Sequence, residues 1–113
     1  MKAQVEVLED DIRLVRLEGR LDAAGSPEVR DKLRSLAAQE QPKLIIDLSQ
    51  VSFIDSSGLG ALVSGLKAAR QQNGDILLAG AQQQAQTLFK LTMLDQIFKV
   101  YDSPEEALAH WTA

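Results

Sequence analysis

The sequence predicts an α/β fold. It consists of a mixed sheet of about five strands, an N-terminal hairpin followed by β-α-β units, with about four helices packed on it. Three observations predict it. Two apolar segments are separated by only "EDD" at 9–11, a link short enough to imply antiparallel strands. "KLIIDL" at 43–48 carries Leu44, Ile45 and Ile46 without alternation, as a strand covered on both faces does, which makes it central and parallel. Between the strands, apolar residues such as Val29, Leu33, Leu59, Leu62 and Leu66 recur at helical spacing.

The elements follow in order. "QVEVL" (4–8) is short and partly alternating, as an edge strand is, and "IRLVRLEG" (12–19) is the second strand. "GRLDAAGSP" is a loop that ends on Ser26 and Pro27, a hydroxyl cap followed by a proline at the first helical position. Val29, Leu33, Leu36 and Ala37 then form one stripe, predicting a helix over 26–39. After the strand at 43–48, "SFID" extends or follows it. From Ser57 the apolar positions Leu59, Leu62, Val63 and Leu66 mark a second helix, stopped at Asn73–Gly74. "DILLAG" (75–80) is a strand, "QQQAQTLFKL" (82–91) a short helix with Ala85, Leu88 and Phe89 on one side, and "IFKVY" (97–101) the last strand. Ser103, Pro104 and Glu106 form a capping box that opens the last helix. Leu44, Ile46, Leu62, Leu66, Leu77, Leu88 and Phe89 are the expected core.

Composition narrows the function. A chain of 113 residues, 45% hydrophobic, suits one domain over 1–113 with an adequate core. The net charge of −4 gives no basic footprint for direct nucleic-acid binding. There are no cysteines, which excludes disulfides and thiolate metal sites. No apolar run approaches the roughly 20 residues of a membrane span, and "MKAQVEVLEDD" lacks an apolar signal core. A cytoplasmic protein without cofactor or metal is expected. No P-loop, dinucleotide G-x-G-x-x-G or G-x-S-x-G elbow is present. The lone His110, beside Trp111, suits a surface or packing role.

The informative stretch is "DSSGLG", 55–60, where a strand hands over to a helix. Asp55, Ser56 or Ser57 can cap that helix, because a side-chain oxygen accepts from a backbone amide left unpaired. One cap needs one such residue, yet three are offered. Gly58 and Gly60 each cost roughly 1 kcal/mol against alanine in a helix. Small, polar and approachable residues suit docking or modification. "GRLD" (19–22) and "DSSGLG" both fall at carboxyl ends of strands, where such sheets meet ligands and partners. Asp22, Ser56, Ser57, Gly58 and Leu59 are expected in one exposed patch, with Gly58 and Gly60 allowing close approach. A hydroxyl at a helix start can also be a switch. Phosphorylation adds about −1.5 to −2 charges, which the helix end tolerates and a covering partner does not.

"LIIDLSQVSFIDSSGLGALVSGLKAARQQNGDILLAG" resembles the heart of the anti-sigma factor antagonists, the STAS-domain proteins of bacterial partner switching. "GRLD" and "TLFKLTMLDQIFKVYDSPEEAL" match further family segments, so the resemblance covers nearly the whole chain and implies the STAS fold. It implies a mechanism too. The unphosphorylated antagonist binds an anti-sigma factor that is also a serine kinase, and this frees the sigma factor. The kinase phosphorylates the serine after the acid, and a PP2C-type phosphatase reverses the step. Carried onto this chain, the acceptor is Ser56, after Asp55. Ser57, Gly58, Leu59 and Gly60 complete the motif, and Asp22 is the acid of the docking loop. The resemblance implies no catalytic residue, and a monomer or weak dimer is expected.

Two other readings compete. STAS-like domains also serve as scaffolds in stress-signalling assemblies or in transport, without a sigma factor. A receiver domain is the other. Asp47 would be its phosphoacceptor and Asp10–Asp11 its metal-binding pair. A receiver, however, has a helix after its first strand, where "IRLVRLEG" reads as a second strand.

Overall fold

Lys2–Val7 (β1) and Arg13–Leu21 (β2) pair antiparallel, with Val5 opposite Val15. The computed structural model describes residues 1–112. The predicted turn between the strands is a 3-10 turn, Glu9–Asp11, in which Asp10 and Asp11 both take positive φ. Short polar side chains tolerate that conformation better than most. β2 runs two residues past its predicted end, to Leu21. Register shifts flank Glu18–Gly19, where Gly19 has φ 112°. Glycine permits that backbone and lets the strand continue after the bulge.

Lys43–Ile54 (β3), Asp75–Ala79 (β4) and Lys99–Tyr101 (β5) complete a five-stranded sheet in the order β1-β2-β3-β4-β5. All pairs after the first are parallel. β3 is central, as its unbroken apolar run requires. "SFID" extends it, carrying the strand to Ile54. The last strand is shorter than predicted, because Ile97 and Phe98 lie outside it.

Ser26–Leu36 (α1), Ser56–Gln71 (α2) and Gln83–Leu91 (α3) cover one face; Pro104–Thr112 (α4) covers the other. Side chains alternate across the sheet. Leu44, Ile46 and Leu48 of β3 therefore join the larger core with Val29, Leu33, Leu62, Leu66 and Phe89. Ile45 and Leu77 face α4 with Ala107. Of the expected core residues, Leu44, Ile46, Leu62, Leu66, Leu77 and Phe89 are buried. Leu88 is only half-buried, packed at the core's margin, because α3 turns its buried stripe through Ala85 and Phe89.

α1 is shorter than predicted and starts differently. Gly25 holds the cap position, and Ser26 is already helical and buried. Its hydroxyl donates to the Asp22 carbonyl oxygen instead of capping the helix. At the end of α2, Asn73 takes the left-handed conformation at φ 63°. Gly74 N–H donates to the Ala69 carbonyl and Asn73 N–H to that of Arg70, which closes the helix as its sequence signal indicates. At the start of α4 the Ser103 hydroxyl accepts from Glu106 N–H at 3.2 Å, the forward half of the expected box.

Candidate functional site

β3 outruns β4 in the sheet. β4 stops at Ala79, opposite Asp47, while β3 continues to Ile54 with β2 alone beside it. Its unpaired edge carries backbone groups that need partners. Side chains from the start of α3 supply them. Gln82 Nε2 donates to the Ser49 carbonyl at 2.9 Å. The Gln84 amide grips Ile54 twice: its Oε1 accepts from Ile54 N–H and its Nε2 donates to the Ile54 carbonyl, each at 2.9 Å. This clamp sits one residue before "DSSGLG". Sequence reasoning missed it, because "QQQ" gave no sign of which amide turns inward.

On the other side Leu21 pairs with Ile54 in register, and Asp55 N–H donates to the Leu21 carbonyl. That brings Asp22 beside Asp55 at the carboxyl ends of both strands. The Asp22 carboxylate accepts from the backbone N–H groups of Ala24 and Gly25, each at 3.2 Å, and pairs with Arg20 at 3.5 Å. These contacts, the Gly25 N–H foremost, hold its carboxyl below the ordinary aspartate value. Arg20 also lies over the Phe53 ring, 4.4 Å from its centre, a cation–π contact.

Asp55 supplies the cap. It is extended, and its Oδ1 accepts from Gly58 N–H at 3.0 Å. α2 therefore begins at Ser56, one residue earlier than predicted, and neither serine serves as the cap. Ser56 is exposed. Ser57 is half-buried and lines a shallow depression of about 360 Å³ with Ala23, Ser26 and Arg30.

The glycines divide. Gly58 is buried, and a Cβ there would run into the Leu21 carbonyl oxygen and lie 2.8 Å from Leu21 Cγ. Leu59 is also buried, at 7% exposure, in the main core. The expected patch is corrected accordingly. Asp22, Asp55, Ser56 and Ser57 reach the surface at this junction, whereas Gly58 and Leu59 fasten α2 to the sheet. Gly60 is half-buried, and a Cβ there would meet only the tip of Arg30, 3.2 Å away.

Asp47 does not suit a receiver's acceptor. It is buried partway along β3, accepts from Ser49 N–H at 3.0 Å and lies 4.0 Å from Arg16, which also pairs with Glu6. Asp10 and Asp11 precede β2, while Asp47 stands opposite Arg16 within it. Among the described residues no cluster of carboxylates and histidine could hold a metal ion. His110 packs edge-on to Tyr101 and receives or donates a 2.7 Å hydrogen bond with its hydroxyl.

A mixed sheet with an exposed serine after the helix-capping Asp55, at the end of a strand whose neighbour ends beside Asp22, defines a small α/β module with a polar strand-to-helix junction. The chain belongs to the STAS domain family, which matches residues 2–107. It is 32% identical over 102 residues to the anti-sigma-B factor antagonist of Listeria monocytogenes, spanning 88% of this chain and 90% of that protein. An anti-sigma factor antagonist from Mycobacterium paratuberculosis is similar in structure, with a TM-score of 0.87 at 26% identity over 99% of this chain and 94% of that one. The fold is also that of the Bacillus cell fate determinant SpoIIAA in its phosphorylated form, with a TM-score of 0.73 at 22% identity over 96% and 98% of the two chains. No helix among the described residues is long and apolar enough to cross a membrane.

Proposed function

We propose that this chain is an anti-sigma factor antagonist whose unphosphorylated form binds an anti-sigma factor serine kinase and so frees a sigma factor. Phosphorylation of Ser56 switches that binding off, and a PP2C-type phosphatase restores it. One observation carries the reading. Ser56 is the exposed first residue of α2, and Asp55 already caps that helix, so its hydroxyl is free to be modified. The names of the curated relatives support the antagonist role. A fold neighbour that occurs in unphosphorylated and phosphorylated forms is consistent with the switch.

The chemistry on this chain is small. The γ-phosphoryl group of ATP passes to Ser56 Oγ, the hydroxyl proton leaves, and ADP is released from the kinase. The phosphate adds about −1.5 to −2 charges at the amino end of α2, where backbone N–H groups favour an anion. The fold therefore tolerates it. Asp22 and Asp55 stand close by, so the surface a partner must cover becomes strongly negative. Catalysis belongs to the partners.

The test is incubation of wild type, Ser56→Ala and Ser57→Ala with ATP and the kinase-type anti-sigma factor of the same genome, followed by mass spectrometry. Phosphate is expected on wild type and Ser57→Ala, at Ser56, in an acid-stable form. Phosphate on Ser57 would move the site by one residue. An acid-labile phosphate would point to an aspartate instead. An unmodified chain with every such kinase of the host would favour a scaffold or transport-associated role.

A further inference from the structure

We infer that the groove between α1 and α2 is a second contact for the same partner, and that it receives an acidic helical segment of the anti-sigma factor kinase. The inference rests on the proposed partner and extends the docking surface well beyond the serine. The groove encloses about 460 Å³. Arg30 and Arg34 of α1 form one wall, Lys67 of α2 stands across from them, and Gly60, Ser64 and Ala68 lie between.

Charge is the first argument. The chain carries −4 overall, yet three cations and no acid line this groove. Among the described residues the ion pairs involve Arg13, Arg16, Arg20 and Arg70, never Arg30, Arg34 or Lys67. All three are exposed. An arriving carboxylate would thus break no existing pair, and opposite potentials across an interface favour encounter and fix its register.

Continuity is the second. Arg30 lines both this groove and the depression that holds Ser57, and its Nη2 lies over Gly60. The groove therefore adjoins, through Arg30, the depression that Ser57 and Asp31 line, one residue along the chain from the proposed switch serine. Spacing is the third. Arg30 and Arg34 stand one turn apart, about 6 Å along the axis. A partner helix with carboxylates at i and i+4 presents the same interval on one face. Ser64 and Ala68 carry little bulk along the groove floor, and the flexible Arg30 tip over Gly60 can swing towards a carboxylate. A phosphate on Ser56 would then repel the acidic segment at the groove's mouth, adding to the switch.

The experiment compares wild type, the double variant Arg34→Glu/Lys67→Glu, and Ser64→Trp in calorimetric titrations against the kinase-type anti-sigma factor of the same genome. The changed cations are exposed, so thermal melts of the double variant should match wild type. At about 0.05 M salt the double variant should bind about tenfold weaker or worse. That gap should shrink at about 0.5 M salt, where screening is stronger. Ser64→Trp should weaken binding at both salt levels by filling the groove. Wild-type affinity in both variants would overturn the groove and leave the Ser56 reading standing. A wild type that binds no such kinase would overturn both. Binding to duplex DNA or anionic vesicles that the double variant loses, with its kinase affinity intact, would also overturn this assignment.

Discussion

A methyl group added at Gly58 would press on Leu21 and lie 3.0 Å from Ile54 Cγ2, whereas one added at Gly60 would meet only the movable end of Arg30. The two substitutions should therefore differ in sign. Gly58→Ala overpacks a rigid junction, which typically costs about 1–3 kcal/mol. Gly60→Ala gains up to about 1 kcal/mol of helix propensity while a flexible side chain moves aside. Urea unfolding of both variants checks this, and equal destabilisation would contradict it. Asp22 gives a pH-dependent outcome. Its folded-state carboxyl is held below the ordinary value of 3.8. Its contribution to stability is thus present above that pH and lost as pH falls through the folded value. Asp22→Asn should be less stable than wild type at neutral pH, with the gap closing in acid; a gap independent of pH would show that charge plays no part. The sequence made the importance of "DSSGLG" legible, but not the roles within it. Both glycines look equally small on paper, and only the register of Leu21 against Ile54 shows which one lies under a strand end.

At the scale of elements, apolar patterning and cap signals located the five strands and four α-helices, and local chemistry shifted their ends. Ser26–Pro27 reads as a cap, but the Asp22 carboxylate already takes the neighbouring amides and leaves the cap position to Gly25. β2 extends past Glu18 because Gly19 absorbs a bulge that no hydrophobic pattern encodes. The overhang of β3 was half legible. "SFID" reads as extending or following the strand, and nothing in the sequence shows that α3 seals the free edge through Gln84. Gln84→Leu should leave Ile54 N–H and carbonyl without these partners. Each unsatisfied group costs about 1–3 kcal/mol when water cannot replace the bond, so the variant should lose stability measurably. Hydrogen exchange should rise locally at residues 49–55. Unchanged protection there would show that the clamp does not hold the junction.

For the whole molecule, the sheet and its helices act as a frame that brings two loops, distant in sequence, to one end. Asp22 and Asp55 meet there because β2 and β3 are parallel neighbours that finish together, a consequence of strand order that could be anticipated from the hairpin and the crossover. The groove between α1 and α2 could not, since Arg30, Arg34 and Lys67 look like ordinary solvent-facing charges until the helices are packed. In the proposed function one hydroxyl controls binding while the fold stays the same. Ser56→Ala should fold, bind the kinase-type anti-sigma factor and remain bound in the presence of ATP. Ser56→Asp should bind weakly, although its single charge is less than that of a phosphate. The most direct measurement is a calorimetric titration of that kinase with the chain before and after stoichiometric phosphorylation, paired with thermal melts of both forms. Tight binding is expected before, a loss of at least about tenfold after (about 1.4 kcal/mol), and closely similar melting. Equal affinity of the two forms, or a loss matched by unfolding of the phosphorylated chain, would contradict the proposed function.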